Sequence, residues 1–155
     1  MDRLNELVER LAGWKADVSN IEAVYTPDHA ELQPVYADLI ETANLYLGAD
    51  LEQRTTVRRM VAANRSIKKV LDAGWFLKNV PPDPDYVKYL RLNLAAVSMT
   101  DGGFNPRDTI ARLKQWLQEA RSRGIDPVPH YTEIANISND QASFSAKGLI
   151  QQALK

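Results

Sequence analysis

Three stretches of this chain hold residue types that chemistry could use. The first is "TDGGFNPRDTIARLKQ", residues 100–115, in which two glycines stand just ahead of a helix start. A glycine-rich turn that feeds a helix can bind phosphate, because free backbone N–H groups and the positive end of the helix dipole point at the anion. The neighbouring residues argue against that use. Pro106 lacks one of the donors, Asn105 is placed to engage others as the cap, and Asp108 in the first turn already neutralises the dipole. Asp101 adds a second negative charge, and the spacing matches neither the P-loop nor the dinucleotide fingerprint. The expectation is a plain chain reversal between two helices.

The second stretch is basic. On one continuous helix, at about 100° per residue, Arg54, Arg58, Arg65, Lys68 and Lys69 fall within a stripe about 100° wide. Val57, Met60, Ile67 and Leu71 centre on a different face, so one helix could bury the second set and present the first. Such a row can follow a nucleic-acid backbone or dock a protein. A solvated face, or one paired with acids of the same chain, accounts for it equally well. A break at Asn64 would split the stripe and weaken each functional version, the nucleic-acid one most.

The third set is the two histidines. His130 and Glu133 share a helical face, but carboxylate-bridged di-iron bundles use Glu-x-x-His twice with two further glutamates, and here the order is reversed and occurs once. His29 has Leu32 at the matching position. No metal or cofactor is expected. The pairs Asp28 and Glu31, and Asp83 and Asp85, sit where first helical turns attract acids anyway. The nucleophile elbow GxSxG is absent. Asn64-Arg65-Ser66 and Asn136-Ile137-Ser138 match the glycosylation sequon incidentally.

The elements that must position these residues are helical. Apolar spacing of three and four recurs along the chain, while strand-like alternation is scarce. Leu4, Leu7, Val8 and Leu11 define a first helix ended near Gly13, with Trp14 closing its apolar face. A second follows Thr26-Pro27, with Tyr36, Leu39, Ile40, Ala43 and Leu47 inward and a kink or new start at Pro34. Asp50 with Gln53 resembles a capping box and opens the basic helix, which can run to Asp72 or break between Asn64 and Ser66. "NVPPDPD", residues 79–85, is a linker. Helices follow from Pro84 to about Met99 with Val87, Leu90, Leu94 and Val97 inward, from Pro106 to Arg123 with Gly124 as its C-terminal cap, after Asp126-Pro127, and after a Ser145 cap through Leu154.

The caps at Asp83-Pro84, Asn105-Pro106 and Asp126-Pro127 lie about 21 or 22 residues apart, so a helix pair would repeat every 43 or so, within the HEAT range. The expected fold is all-α: an irregular bundle of about five to seven helices, or a short HEAT-like stack of helix pairs, forming one domain over residues 1–155. Trp75-Phe76-Leu77, between the basic helix and the linker, either plugs the core or forms an exposed patch.

Composition narrows the function. With 155 residues, 45% hydrophobic and 25% charged, the chain can bury a core without staples. It has no cysteine, which excludes disulfides, thiolate metal sites and a cysteine nucleophile. Four charges within the first nine residues are unlike a signal peptide, and no apolar run is long enough to span a membrane, so a cytoplasmic location is expected. Net charge is −1, but residues 1–50 carry three bases and ten acids, whereas residues 51–79 carry seven bases and two acids. Those blocks can pair within one chain or between two, as a homo-oligomer. The preferred expectation is a non-catalytic helical module that binds an unknown protein through Arg54, Arg58, Arg65, Lys68 and Lys69, with Trp75 and Phe76 beside them. The alternatives are a nucleic-acid binder using the basic stripe and a small enzyme with an inter-helical carboxylate or histidine site.

Overall fold

The computed structural model describes residues 2–14, 33–72, 75–78, 86–138 and 144–155, which form helices and no strand. In chain order these are α1 (Asp2–Ala12), α2 (Gln33–Leu47), α3 (Leu51–Ala63), α4 (Arg65–Asp72), α5 (Trp75–Lys78), α6 (Tyr86–Met99), α7 (Pro106–Ser122), α8 (Val128–Ile137) and α9 (Phe144–Leu154). Among the described residues that is eight helices of two turns or more plus the single turn α5, which corrects the expected five to seven. None of them is long and apolar enough to cross a membrane. The Thr26-Pro27 cap, His29, the 79–85 linker and the Trp75 side chain lie outside the described residues and side chains.

Several helix ends follow from local sequence. Asp50 and Gln53 form the reciprocal capping box of α3: the Asp50 carboxylate accepts from the Gln53 amide at 2.8 Å, and Gln53 Oε1 accepts from the Asp50 amide at 3.2 Å. Asn105 caps α7 by accepting from the Arg107 amide at 3.0 Å. Gly124, at φ 76°, ends α7 in a Schellman turn, with the Ile125 amide donating back to Ala120 and the Gly124 amide to Arg121. Two starts differ from expectation. The helix after Asp126 begins at Val128, one residue late, with the Val128 amide donating to the Asp126 carboxylate at 3.1 Å, and α9 already includes Phe144, so Ser145 lies inside it rather than capping it. Pro34 lies at the beginning of α2 as described, and the residues before Gln33 that would distinguish a kink from a new start lie outside the described residues.

The extra helix comes from Asn64. Its backbone, in an extended conformation, ends α3, and its Oδ1 accepts from the Ile67 amide at 3.2 Å, which starts α4. Its Nδ2 donates to the Leu11 and Trp14 carbonyls at 2.9 and 2.8 Å, fastening the end of α1 and the residues just after it. One buried amide therefore ties together three helix ends. Local sequence left the helix free to continue or to break between Asn64 and Ser66, because two of these three partners lie 50 or more residues away.

Two apolar clusters share α6. Leu92, Ala95, Ala96 and Met99 pack with α1 to α5, whereas Tyr86, Leu90, Leu94 and Val97 pack with α7 to α9. At about 100° per residue the two sets centre about 165° apart, so α6 is apolar on opposite faces and buried on both, as a central helix must be. A buried polar chain crosses the seam. Arg58 Nη1 donates to the Tyr46 hydroxyl at 2.9 Å, Tyr46 meets Ser98 Oγ at 2.7 Å, and Ser138 Oγ donates to Ser98 at 2.7 Å. A guanidinium can only donate, so the Tyr46 oxygen accepts from Arg58, and either hydroxyl can supply the proton between Tyr46 and Ser98. This chain links α3, α2, α6 and α8 across both clusters.

Replacing Asn64 by Ala should therefore destabilise the protein by about 2–3 kcal/mol, from one helix cap of about 1 kcal/mol and two further hydrogen bonds of similar worth. Urea unfolding measures it, and a loss below about 0.5 kcal/mol would contradict the three-way tie.

Candidate functional site

Two of the stretches singled out in the sequence meet in space. The glycine turn leaves α6 through a Schellman motif in which the Gly102 amide donates to Val97 and the Asp101 amide to Ser98. Asp101, Gly102 and Gly103 all have positive φ, at 51°, 90° and 81°. Thr109 Oγ1 donates to the Gly102 carbonyl at 2.8 Å, binding the turn to the first coils of α7. The turn curls around Asp72, the last residue of α4. The Phe104 amide hydrogen-bonds the Asp72 carboxylate, and Arg112 Nη2 lies 3.3 Å from its Oδ1. A Cβ on Gly103 would fall 1.9 Å from that oxygen.

The question posed by the two glycines is thus answered by the chain itself. The place an anion could occupy is filled by an aspartate from α4, and Asp101 and Asp108 serve other helix starts: the Asp101 carboxylate accepts weakly from the Ala146 amide in α9 at 3.4 Å, and Asp108 lies in the first turn of α7. Two effects oppose each other at Asp72. Burial raises its carboxyl above the ordinary carboxylate range, Arg112 and the Phe104 amide pull it down, and burial wins.

The same contact creates a surface. Arg65 and Lys68 lie on the α4 face that carries Asp72 and reach over the Phe104 ring, with Arg65 Cζ 5.3 Å and Lys68 Nζ 4.6 Å from its centroid. Phe104 keeps 42% of its surface exposed, which among the described large hydrophobics only Leu51 exceeds. Nothing in the sequence marked Phe104, because the cations over it lie 36 and 39 residues earlier.

The remaining basic residues are placed differently, and the single exposed row is corrected. Arg58 is 5% exposed and donates to Tyr46 and to Thr55 Oγ1. Arg54 donates to the Ala49 carbonyl at the α2–α3 corner, with its Nε buried. Lys69 is half-buried. Phe76 is 1% exposed and belongs to the cluster of α1 to α5, so of the two expectations for the Trp75-Phe76-Leu77 stretch its side chain takes the plugging one. The break at Asn64 divides the row into an α3 pair used inside the fold and an α4 pair at Phe104.

Acids of the first block are engaged nearby. Arg3 pairs with Glu41 at 2.7 Å and with Glu6 at 3.1 Å, and Arg10 pairs with Asp38 at 2.6 Å. The Arg3 guanidinium holds the Glu41 carboxyl below its usual range. Glu133 accepts from Arg91 at 2.6 Å, which separates it from a metal-binding role with His130. Among the described residues no three His, Cys, Asp or Glu side chains gather as metal ligands. Ser66-Ile67-Lys68-Lys69 has the SxxK spacing of some serine acyl-enzymes, and Ser66 stands at the start of α4. The Ile67 amide that could help to stabilise an oxyanion there is already held by Asn64. Asn93, on α6, is 1% exposed with neither amide atom hydrogen-bonded. No protein-family model, curated protein or solved structure matches this chain, so its own geometry carries the functional reading.

Gly103→Ala should cost about 2–4 kcal/mol: about 1–2 for an L-residue at positive φ and the rest from displacing Asp72. In an Asp72→Ala background the added cost should fall to about 1–2 kcal/mol, and full additivity in urea unfolding would contradict the filled turn. The raised Asp72 carboxyl means that the folded state holds this proton more tightly than the unfolded state does. Its contribution is fully present below the ordinary carboxylate range and is lost as pH rises from about 4 through the elevated value. Asp72→Asn should accordingly remove a decline in stability over that window.

Proposed function

We propose that this protein is a non-catalytic helical interaction module, and that its docking surface is centred on Phe104 with Arg65 and Lys68. The observation that carries the reading is an exposed aromatic ring held at the mouth of a rigid turn beneath two cations. Interfaces are enriched in aromatic residues and arginine, and an apolar anchor ringed by cations suits a protein segment that presents an apolar side chain flanked by carboxylates. The turn is fixed by Asp72 and Thr109, so little order has to be imposed on binding. A short HEAT-like stack of helix pairs, the finer form of the expected fold, would suit such a role by exposing helix ends and corners on one side.

Nucleic acid is the alternative that the same patch brings forward, since a base can stack on an aromatic ring beside cations. Tagged protein should retain a partner from native lysate after nuclease treatment. Phe104→Ala and the double variant Arg65→Glu/Lys68→Glu should each weaken that partner at least tenfold while changing stability by no more than about 1 kcal/mol. Retention that vanishes with nuclease would transfer the surface to nucleic acid. Retention unaffected by both variants would remove this surface from the account.

A further inference from the structure

A second basic surface lies apart from Phe104, built from residues that no sequence motif marks. Lys114, Gln118 and Arg121 fall at i, i+4 and i+7 on α7, on one exposed face. With Ala153, Leu154 and Lys155 from the end of α9, and with Leu117 beneath, they line a groove of about 340 Å³. That volume is at the small end of ligand sites. Leu117 and Ala153 are buried and form an apolar floor, while Lys114, Arg121 and Lys155 stand exposed at its edges.

Among the lining side chains are three cations and no acid. None of the three has an ion-pair partner among the described residues. The acid of α7 beyond its first turn, Glu119, is held by Arg123 at 3.3 Å and is outside the lining. The C-terminal end of α9 brings roughly half a negative charge from its free carbonyls, and an α-carboxylate on Lys155 would bring one more, which together still leave the three cations in excess. Like charges around one groove repel, and a multiply charged anion relieves that repulsion.

We infer that this groove binds a small organic phosphate monoester, with the phosphate among Lys114, Arg121 and Lys155 and the organic part on Leu117, Ala153 and Leu154. A dianionic phosphate answers three cations better than a single carboxylate does. The size of the groove selects a small molecule: Lys114 and Arg121 are seven residues apart, about 10 Å along the helix, which is too short a span for a docked helix. Gln118, between them, supplies neutral donors and an acceptor to the polar side of the ligand. The inference is independent of the Phe104 surface and stands or falls apart from it.

The test is a titration of the full chain followed by amide chemical shifts, using phenyl phosphate and, separately, inorganic phosphate. Saturable shifts should be confined to residues 114–121 and 153–155. Phenyl phosphate should bind about fivefold more tightly than inorganic phosphate, the effect of covering about 40 Å² of ring at about 25 cal/mol per Å². Lys114→Gln/Arg121→Gln, which changes only exposed side chains, should weaken phenyl phosphate at least tenfold. Equal affinity for the two phosphates, an adventitious ion only, would overturn the inference, as would matching shifts at Arg65 and Lys68 or an unchanged affinity in the double variant. A phosphotyrosyl hexapeptide binding more than tenfold tighter than phenyl phosphate would overturn the small-molecule assignment. The comparison of the two phosphates on the unaltered chain decides the matter even if the double variant fails to fold.

Discussion

A helix that is apolar on two opposed faces must be covered on both, and in this protein that helix is α6. Its Leu92–Met99 side closes the cluster built by α1 to α5, and its Tyr86–Val97 side closes the cluster built by α7 to α9. Neither cluster can be completed without it. The hydroxyl chain through Tyr46, Ser98 and Ser138 lies along the resulting seam, where an apolar fit alone would let the two halves slide. Directional bonds between buried groups penalise such a slip, because a shift would leave the desolvated hydroxyls of Tyr46, Ser98 and Ser138 without these partners. The glycine turn leaves the end of this same helix, so the position of Phe104 is inherited from α6.

Charge in this chain is used first to build. Arg58 serves the buried chain, Arg54 the α2–α3 corner, Arg3 and Arg10 the acids of α1 and α2, and Asp72 the inside of the glycine turn. A loop of three residues with positive φ opening toward a helix has the outline of an anion site, yet here a carboxylate of the same chain occupies it. What remains at the surface is therefore more informative than the total. Arg65 and Lys68 over Phe104, and Lys114, Arg121 and Lys155 around a groove, are cations whose charge the fold has not consumed in ion pairs.

Local features of the sequence were legible and long-range ones were not. The Asp50 capping box, the Asn105 cap and the Gly124 Schellman turn all follow from residues within a few positions of one another, where steric and hydrogen-bonding rules act directly. The inward face of α1 was readable for the same reason. For α6, periodicity identified the Leu90–Leu94–Val97 face and overlooked the opposite one, since a helix buried all round has no polar side to set the phase. The basic row failed at a single residue: Asn64 breaks the helix through bonds to Leu11 and Trp14, which no local rule contains. Phe104 and Asp72 belong to one site only because the fold brings α4 to the turn, a contact between stretches about 30 residues apart that no local pattern encodes.

The central claim is that cations resembling one exposed row are divided into a pair built into the fold and a pair left at the surface. The most direct measurement is hydrogen exchange at the arginine Nε–H groups, resolved by NMR for Arg54, Arg58 and Arg65. Nε of Arg54 and of Arg58 is buried, whereas Arg65 is exposed. Slow exchange at Arg54 and Arg58 with fast exchange at Arg65 is the predicted result. Equally fast exchange at all three would mean that the row is continuous and solvated, and would contradict the account.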